Sequence, residues 1–187
     1  MRRMYACLWM GLCWSSCAWG VVQVGVETGK RWLETSHSTN EKFGFTGQET
    51  SASMSLTSFG TWPLSLGVSY AVVVLNPDDF SPSATTAEMR EVGGEFSVWM
   101  PFFDRAEPFF TLQGLLDAHL DVHTDRSEML HSRMHGGRAF VGVRYRVAPI
   151  SSLSLSVFQG MYQVDELEEE KRSLNSMGIL AGFTVSM

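Results

Sequence analysis

The sequence predicts an all-β chain, folded as an eight-stranded antiparallel up-and-down β-barrel that crosses a membrane. Three observations predict it. Apolar residues recur at every second position in eight successive segments. Period two is the mark of a strand whose two faces meet different surroundings. The segments run to about ten residues, the length a tilted strand needs to cross a bilayer. Finally, the apolar face lacks charges through the segment centres, and the opposite face is mostly Gly, Ser, Thr and Gln.

The chain opens with "MRRMYACLWMGLCWSSCAWG". Arg2 and Arg3 give a positive start, Met4 to Trp14 an apolar core too short to span, and Ala18 and Gly20 a small-residue end. Residues 1–20 are therefore expected to be a cleaved signal peptide, with cleavage after Gly20, although cleavage after Ala18 also fits. Residues 21–187 are expected to form the barrel. All three cysteines (Cys7, Cys13, Cys17) lie in the leader, so the exported chain would carry no thiol into an oxidising compartment. Trp14 stands where a lipoprotein signal carries Leu, which argues against lipidation of Cys17.

The strand segments follow in order. "VVQVGVETGKRW" sets Val22, Val24 and Val26 against Gln23, Gly25, Glu27 and Gly29. "SASMSLTSFG" is the weakest, with Met54 and Leu56 against Ser53, Ser55 and Thr57. "WPLSLGVSYAVVVL" is the clearest, with Leu64, Leu66, Val68 and Tyr70 against Ser65, Gly67, Ser69 and Ala71. "EVGGEFSVWM" sets Val92, Phe96, Val98 and Met100 against Gly93, Glu95, Ser97 and Trp99. "PFFTLQGLLDAHLDV" sets Phe110, Leu112, Leu116 and Leu120 against Thr111, Gln113, Asp117 and His119. "GRAFVGVRYRV" and "SLSLSVFQGMY" continue the pattern. "SMGILAGFTVSM" ends it, with Met177, Ile179, Phe183 and Val185 on one side. This last strand is expected to pair with the first, which would remove both open edges.

Short connections ("GTWP", "PFFDRAEP", "APIS") alternate with longer polar ones near Leu33–Gln48, Asn76–Thr86, Thr124–His135 and Asp165–Ser173. Short turns on one side and long loops on the other mark outer-membrane barrels, and an even strand count puts both termini at the short-turn, periplasmic side. The faces follow from composition. A water-facing surface is normally rich in Lys and Glu, whereas small residues suit the crowded lumen of an eight-strand barrel. The apolar face suits lipid, where Arg or Lys at mid-bilayer costs ~2–4 kcal/mol. Trp32, Trp62, Tyr145 and Tyr162 lie near strand ends as candidates for interfacial girdles, with Trp32 also suiting a lumen rim or loop.

The chain has 187 residues, 44% hydrophobic and 18% charged, which excludes a disordered chain. Its net charge of −6 argues against a nucleic-acid partner.

On "PLSLGVSY", "PFFTLQGLL", "AFVGVRYRV" and "GILAGFTVSM", the chain resembles the small eight-stranded outer-membrane β-barrels, the OmpA-like/OmpX-like superfamily. The resemblance covers the whole exported chain. It implies a place in the outer membrane of a Gram-negative cell, contact with outer-membrane lipid, and insertion by the outer-membrane assembly machinery. Such chains usually end in an aromatic residue, and Met187 departs from that. Barrels of the lipid A deacylase type carry a His and a Ser two positions apart, and this sequence has no His-x-Ser. We expect no enzymatic activity, no metal and no cofactor.

One run stands out as a candidate site. "DAHLDVHTD" puts Asp117, His119, Asp121, His123 and Asp125 at alternate positions, hence on one strand face. The phase set by Thr111 and Gln113 predicts that this face is the lumen. The run then reads either as a polar ladder paired with Arg138, Arg144 and Arg146 on the next strand, or as a divalent-metal or proton-linked site. Glu27 and Glu95 also face inward, and with the arginines are expected to form an ion-pair network that plugs the lumen. Loop His131 and His135 are spaced i,i+4, a weaker metal candidate. The functions these features support are a structural or surface-interaction barrel with its long loops toward an extracellular ligand, a small-molecule or ion binder or transporter using the ladder, and a soluble lipocalin-like carrier with its faces inverted.

Overall fold

The computed structural model describes residues 20–36, 44–58, 63–77, 84–100, 105–124, 129–165 and 172–187. Eight strands make it up: β1 (Val21–Ser36), β2 (Gly44–Ser58), β3 (Leu64–Pro77), β4 (Ala84–Trp99), β5 (Ala106–Thr124), β6 (Met129–Ala148), β7 (Ser151–Asp165) and β8 (Arg172–Ser186). Each pairs antiparallel with its neighbours in sequence, and the barrel closes where β1 pairs with β8, from Gln23↔Ser186 to Ser36↔Ser173. Residues 1–19 of the expected leader, Trp62, Asp125 and most of the long connection at 165–173 fall outside the described residues.

The period-two faces resolve as lipid-type belt and lumen. Val24, Val26, Met54, Leu56, Leu66, Val68, Phe96, Leu112, Val143, Leu155, Ile179 and Phe183 are exposed on the outer face, Leu66 at 65%. Ser51, Thr57, Ser65, Ser69, Ser97, Thr111, Ser152 and Ser156 are buried inside. At the short-turn end, backbone hydrogen bonds stitch neighbouring turns to strands, among them Ser186 N to Ile150 O (2.7 Å) and Met187 N to Val22 O (2.8 Å). That answers the alternation of the terminal segment, because β8 is the closing strand.

The strands run 14 to 20 residues, well past the ten expected. The extra length lies at the long-loop end, in stretches taken from sequence as loops. Met129–His135, for example, is the start of β6. These stretches resemble loops in sequence because the polar and apolar faces exchange there. Leu33, Val73, Leu75, Ala87, Met89, Ala118, Met134, Val164 and Leu174 point into the barrel and form one buried apolar cluster, flanked by Phe45, Leu115 and Leu120. Outside, at the same end, stand Gln48, Glu88, Arg90, Arg133, His135, Gln163 and Asp165. One half of the barrel is thus apolar outside and polar inside, and the other half is the reverse, as in a water-soluble protein.

A Cβ on Gly136 would lie 2.1 Å from the carbonyl oxygen of Met161, and its φ of 155° adds to the need for glycine.

The outer belt carries a graded prediction. Val68→Arg, nearer the middle of the outer apolar run of β3, is expected to destabilise the barrel in bilayers by ~2–4 kcal/mol, whereas Gln48→Arg, on the polar collar, is expected to cost ~0–1 kcal/mol. Equilibrium unfolding in lipid vesicles measures both. Equal costs would mean that the belt is not the lipid-facing zone.

Candidate functional site

Of the residues expected to plug the lumen with charge, Arg138 does so, but its partners are Arg31, Glu49 and Glu91. Arg31 on β1 donates through Nη2 to Glu91 Oε1 on β4 (2.9 Å) and to Tyr162 OH on β7 (2.5 Å). Its Nη1 donates to Glu49 Oε2 on β2 (3.4 Å), and its Nε donates to Ser176 Oγ on β8 (2.8 Å). Arg138 on β6 donates through Nη1 to Glu49 Oε1 (2.5 Å) and through Nε to Gln113 Oε1 on β5 (2.5 Å). Its Nη2 lies 3.2 Å from Glu91 Oε2. Gln113 Nε2 in turn donates to Ser69 Oγ on β3. Two arginines and two glutamates, all but fully buried, thus join every strand of the barrel into one network.

The sequence makes room for these groups. Arg31 lies between Gly47 on one neighbouring strand and Gly178 on the other, and Arg138 lies beside Gly160. Phe158 and Phe140 cover the guanidinium groups. Arg138 Cζ is 5.1 Å from each ring centroid, and Arg31 Cζ is 5.6 Å from Phe158. A Cβ on Gly178 would fall 2.4 Å from the Phe158 ring and 2.6 Å from the Lys30 carbonyl oxygen.

Several expectations are corrected here. Glu27 and Glu95 do line the lumen, but neither forms an ion pair among the described residues. Glu27 accepts from Ser154 Oγ (3.4 Å) and Glu95 from Gln113 Nε2 (3.2 Å). Glu49 and Glu91 take the roles expected of them. Tyr162, expected as an interfacial girdle residue, is 1% exposed and bonded to Arg31 inside the barrel. Trp32 and Tyr145 do stand on the outer face.

The Asp/His run is not a lumen ladder. On β5, Gly93 pairs with Leu115 but Val92 pairs with Asp117, so Leu116 is a one-residue bulge. Beyond it the phase flips. Ala118 and Leu120, opposite Glu91 and Met89, now point inward. Asp117 and His119 point outward, with side chains 49% and 34% exposed. Asp121 follows on the same outer face, covered by its bond to His131. The backbone of His123 continues β5, but its side chain lies outside the described residues.

The run's partners are outer-face residues of β5 itself and of the next strand, not the expected arginines. His119 Nε2 lies 3.2 Å from Asp117 Oδ1, His131 Nδ1 2.5 Å from Asp121 Oδ1, and Arg133 Nη2 3.7 Å from Asp117. The rings of His119 and His131 stack at 4.8 Å. His135 reaches Asp165 on β7 (2.9 Å), so the expected His131–His135 pair does not form on a helix. Among the described residues no group of three or more His, Cys, Asp or Glu is placed to hold a metal ion. The cluster is a charged collar above the apolar belt.

The remaining arginines stand toward the short-turn end. Arg144 lies over the Trp99 ring, 3.7 Å from its centroid, and donates to Gln23 Oε1 (3.2 Å). Arg146 is bonded to Glu107.

No protein-family model matches the chain, and no curated protein matches it in sequence. Among solved structures the chain is similar to Neisserial surface protein A, with a TM-score of 0.64 at 15% identity, over 87% of this chain and 96% of that one. Two others align at lower scores. The outer membrane protein OprG from Pseudomonas aeruginosa aligns at TM-score 0.48 and 11% identity, over 91% and 98% of the two chains. The attachment invasion locus protein Ail of Yersinia pestis aligns at TM-score 0.47 and 8% identity, over 87% and 97%. The chain therefore has the fold of the small eight-stranded outer-membrane β-barrels.

Removing one arginine from the plug leaves two buried carboxylates to share the one guanidinium that remains. Arg31→Ala is expected to destabilise the barrel by ~3–5 kcal/mol. His119→Ala, on the exposed collar, is expected to cost no more than ~1 kcal/mol. Denaturant titration in one detergent compares them directly, and a smaller loss for Arg31→Ala than for His119→Ala would refute the network's structural role.

Proposed function

We propose that this protein resides in the outer membrane and acts as a sealed structural or surface-interaction barrel, not as a pore or an enzyme. One observation carries the reading, the double closure of the lumen. The Arg31/Arg138–Glu49/Glu91 network crosses its middle, and the apolar cluster from Leu33 to Leu174 fills the half above it. A hydrated path would have to break both. The outer-membrane address is supported by the uncharged outer belt and by the fold. With the short turns in the periplasm, the collar on β4–β7 and the connecting loops face outward, as the surface through which the protein meets lipid headgroups or an extracellular ligand. Insertion by the outer-membrane assembly machinery belongs to the same reading.

The alternatives fare worse on specific residues. Transport along the Asp/His run needs those side chains in the lumen, and Asp117 and His119 stand outside it. A soluble carrier needs Leu66, Val68, Phe110 and Val143 to line a cavity, and all four are exposed on the outer face.

Two measurements test the reading. Fractionation followed by electrophoresis with and without boiling is expected to give an outer-membrane band that shifts on heating. In planar bilayers the wild type is expected to show no steady conductance. A soluble periplasmic band, or sustained ohmic conductance, would overturn it.

A further inference from the structure

At the short-turn end the lumen opens into a cavity of ≈ 560 Å³, within the range of small-molecule sites. A narrower cavity of ≈ 70 Å³ lies deeper. Arg144 lines both and so stands at the neck between them.

Arg144 differs from every other arginine pointed into the barrel. Arg31 and Arg138 each meet two carboxylates, and Arg146 forms the ion pair with Glu107 at the mouth. Arg144 forms no ion pair among the described residues. Its Nη1 has a neutral partner, Gln23, and its Nε is buried with no hydrogen-bond partner. A guanidinium left in this state is normally costly, because each N–H shielded from water needs an acceptor. Its Cζ stands 3.7 Å from the centroid of the Trp99 ring, a stacking contact that restricts how the donor fork can turn before anything binds. Hydroxyl groups complete the surroundings. Ser152 and Ser186 line the mouth, and Ser156 Oγ, deeper in, is buried without a partner.

A guanidinium stacked on an indole, without an ion pair among the described residues, at the neck of a hydroxyl-lined vestibule is suited to one chemistry, bidentate binding of a planar or tetrahedral oxyanion. We propose that Arg144 anchors a binding site for a small carboxylate or phosphate group that enters from the short-turn end. The ion-pair network beyond it makes the vestibule blind, so the group is held there and not conducted. Glu27, deeper in the same cavity and bonded by Ser154, sets the limit of entry for an anion. The site does not depend on the surface role proposed above, and a closed barrel of any location could carry it.

The test uses the folded chain in a neutral detergent, with Trp32 and Trp62 replaced by Phe so that Trp99 is the reporter in residues 21–187. Sodium phosphate and sodium acetate are titrated against sodium chloride at constant ionic strength. A saturable change in Trp99 emission with phosphate or acetate, weakened about tenfold or more in Arg144→Gln, is the expected result. Arg144→Lys keeps the charge without the fork and is expected to weaken binding as well, which keeps the test open if the glutamine variant fails to fold. The heat-modifiable band serves as the folding control. A response to short-chain phosphatidylglycerol micelles alone would keep the oxyanion site and assign its source to a lipid headgroup. No saturable response to any of these probes, the same response with chloride, or one unchanged in both Arg144 variants, would overturn the proposal.

Discussion

The barrel depends on the contact between Arg31, Arg138, Glu49 and Glu91. In an eight-stranded barrel standing in lipid the apolar outer face alone does not fix the register, because a two-residue slip keeps every apolar side chain outward. What fixes the strands against each other is the lumen. Here Arg31 reaches β2, β4, β7 and β8, while Arg138 reaches β2, β4 and β5, with Gln113 extending the network to β3. A one-residue slip of any strand would turn its member of the network toward lipid and leave a charge or a polar group behind unpaired. The flanking glycines and the two phenylalanines follow from this arrangement. They are the space and the cover that two guanidinium groups need inside so narrow a cylinder.

The network also divides the molecule. Toward the short turns the lumen is lined by hydroxyl, amide and carboxyl groups and retains open volume. Toward the loops it is a dry apolar core, with Val73, Leu75 and Met89 fully buried. The outer surface changes in the opposite sense along the same strands. Such an inversion is what a single sheet must do when it leaves lipid and enters water, since the apolar side of each strand has to follow the less polar medium. Two devices carry it out. On β3 the run "AVVVL" is apolar on both faces, so no phase change is needed. On β5 the bulge at Leu116 inserts one residue, and the alternation resumes with its faces exchanged.

That bulge marks how far the sequence could be read. Alternation identified eight strands, their neighbours and the faces of their lower halves. It did so because Ser, Gly and Thr opposite Leu, Val and Phe leave one assignment open once charge is considered. The lengths were not legible, because an inverted polar and apolar code in an upper strand looks like loop. "MLHSRMH" alternates as faithfully as any segment, but with Arg133 and His135 outward and Met134 inward. The misplacement of Asp117 and His119 has the same origin. A one-residue insertion in "GLLDA" has no signature in residue type. Arg31, Glu49, Glu91 and Tyr162 were within reach, since each continues a lumen phase by two positions past Gly29, Ser51, Gly93 and Gly160.

The same division constrains where activity can reside. A lumen interrupted by a neutral four-charge cluster and then by close-packed side chains couples nothing from one end to the other. Each end must therefore act alone. The upper end offers a rim on which Asp117, Asp121 and Asp165 are matched with His119, His131, Arg133 and His135, nearly all on adjacent strands and therefore held by the sheet's own register. The lower end offers a blind vestibule with one guanidinium that forms no ion pair among the described residues. A membrane-crossing barrel built this way separates two chemically distinct surfaces, and the buried ion pairs that hold its strands in register are also what keeps those surfaces independent.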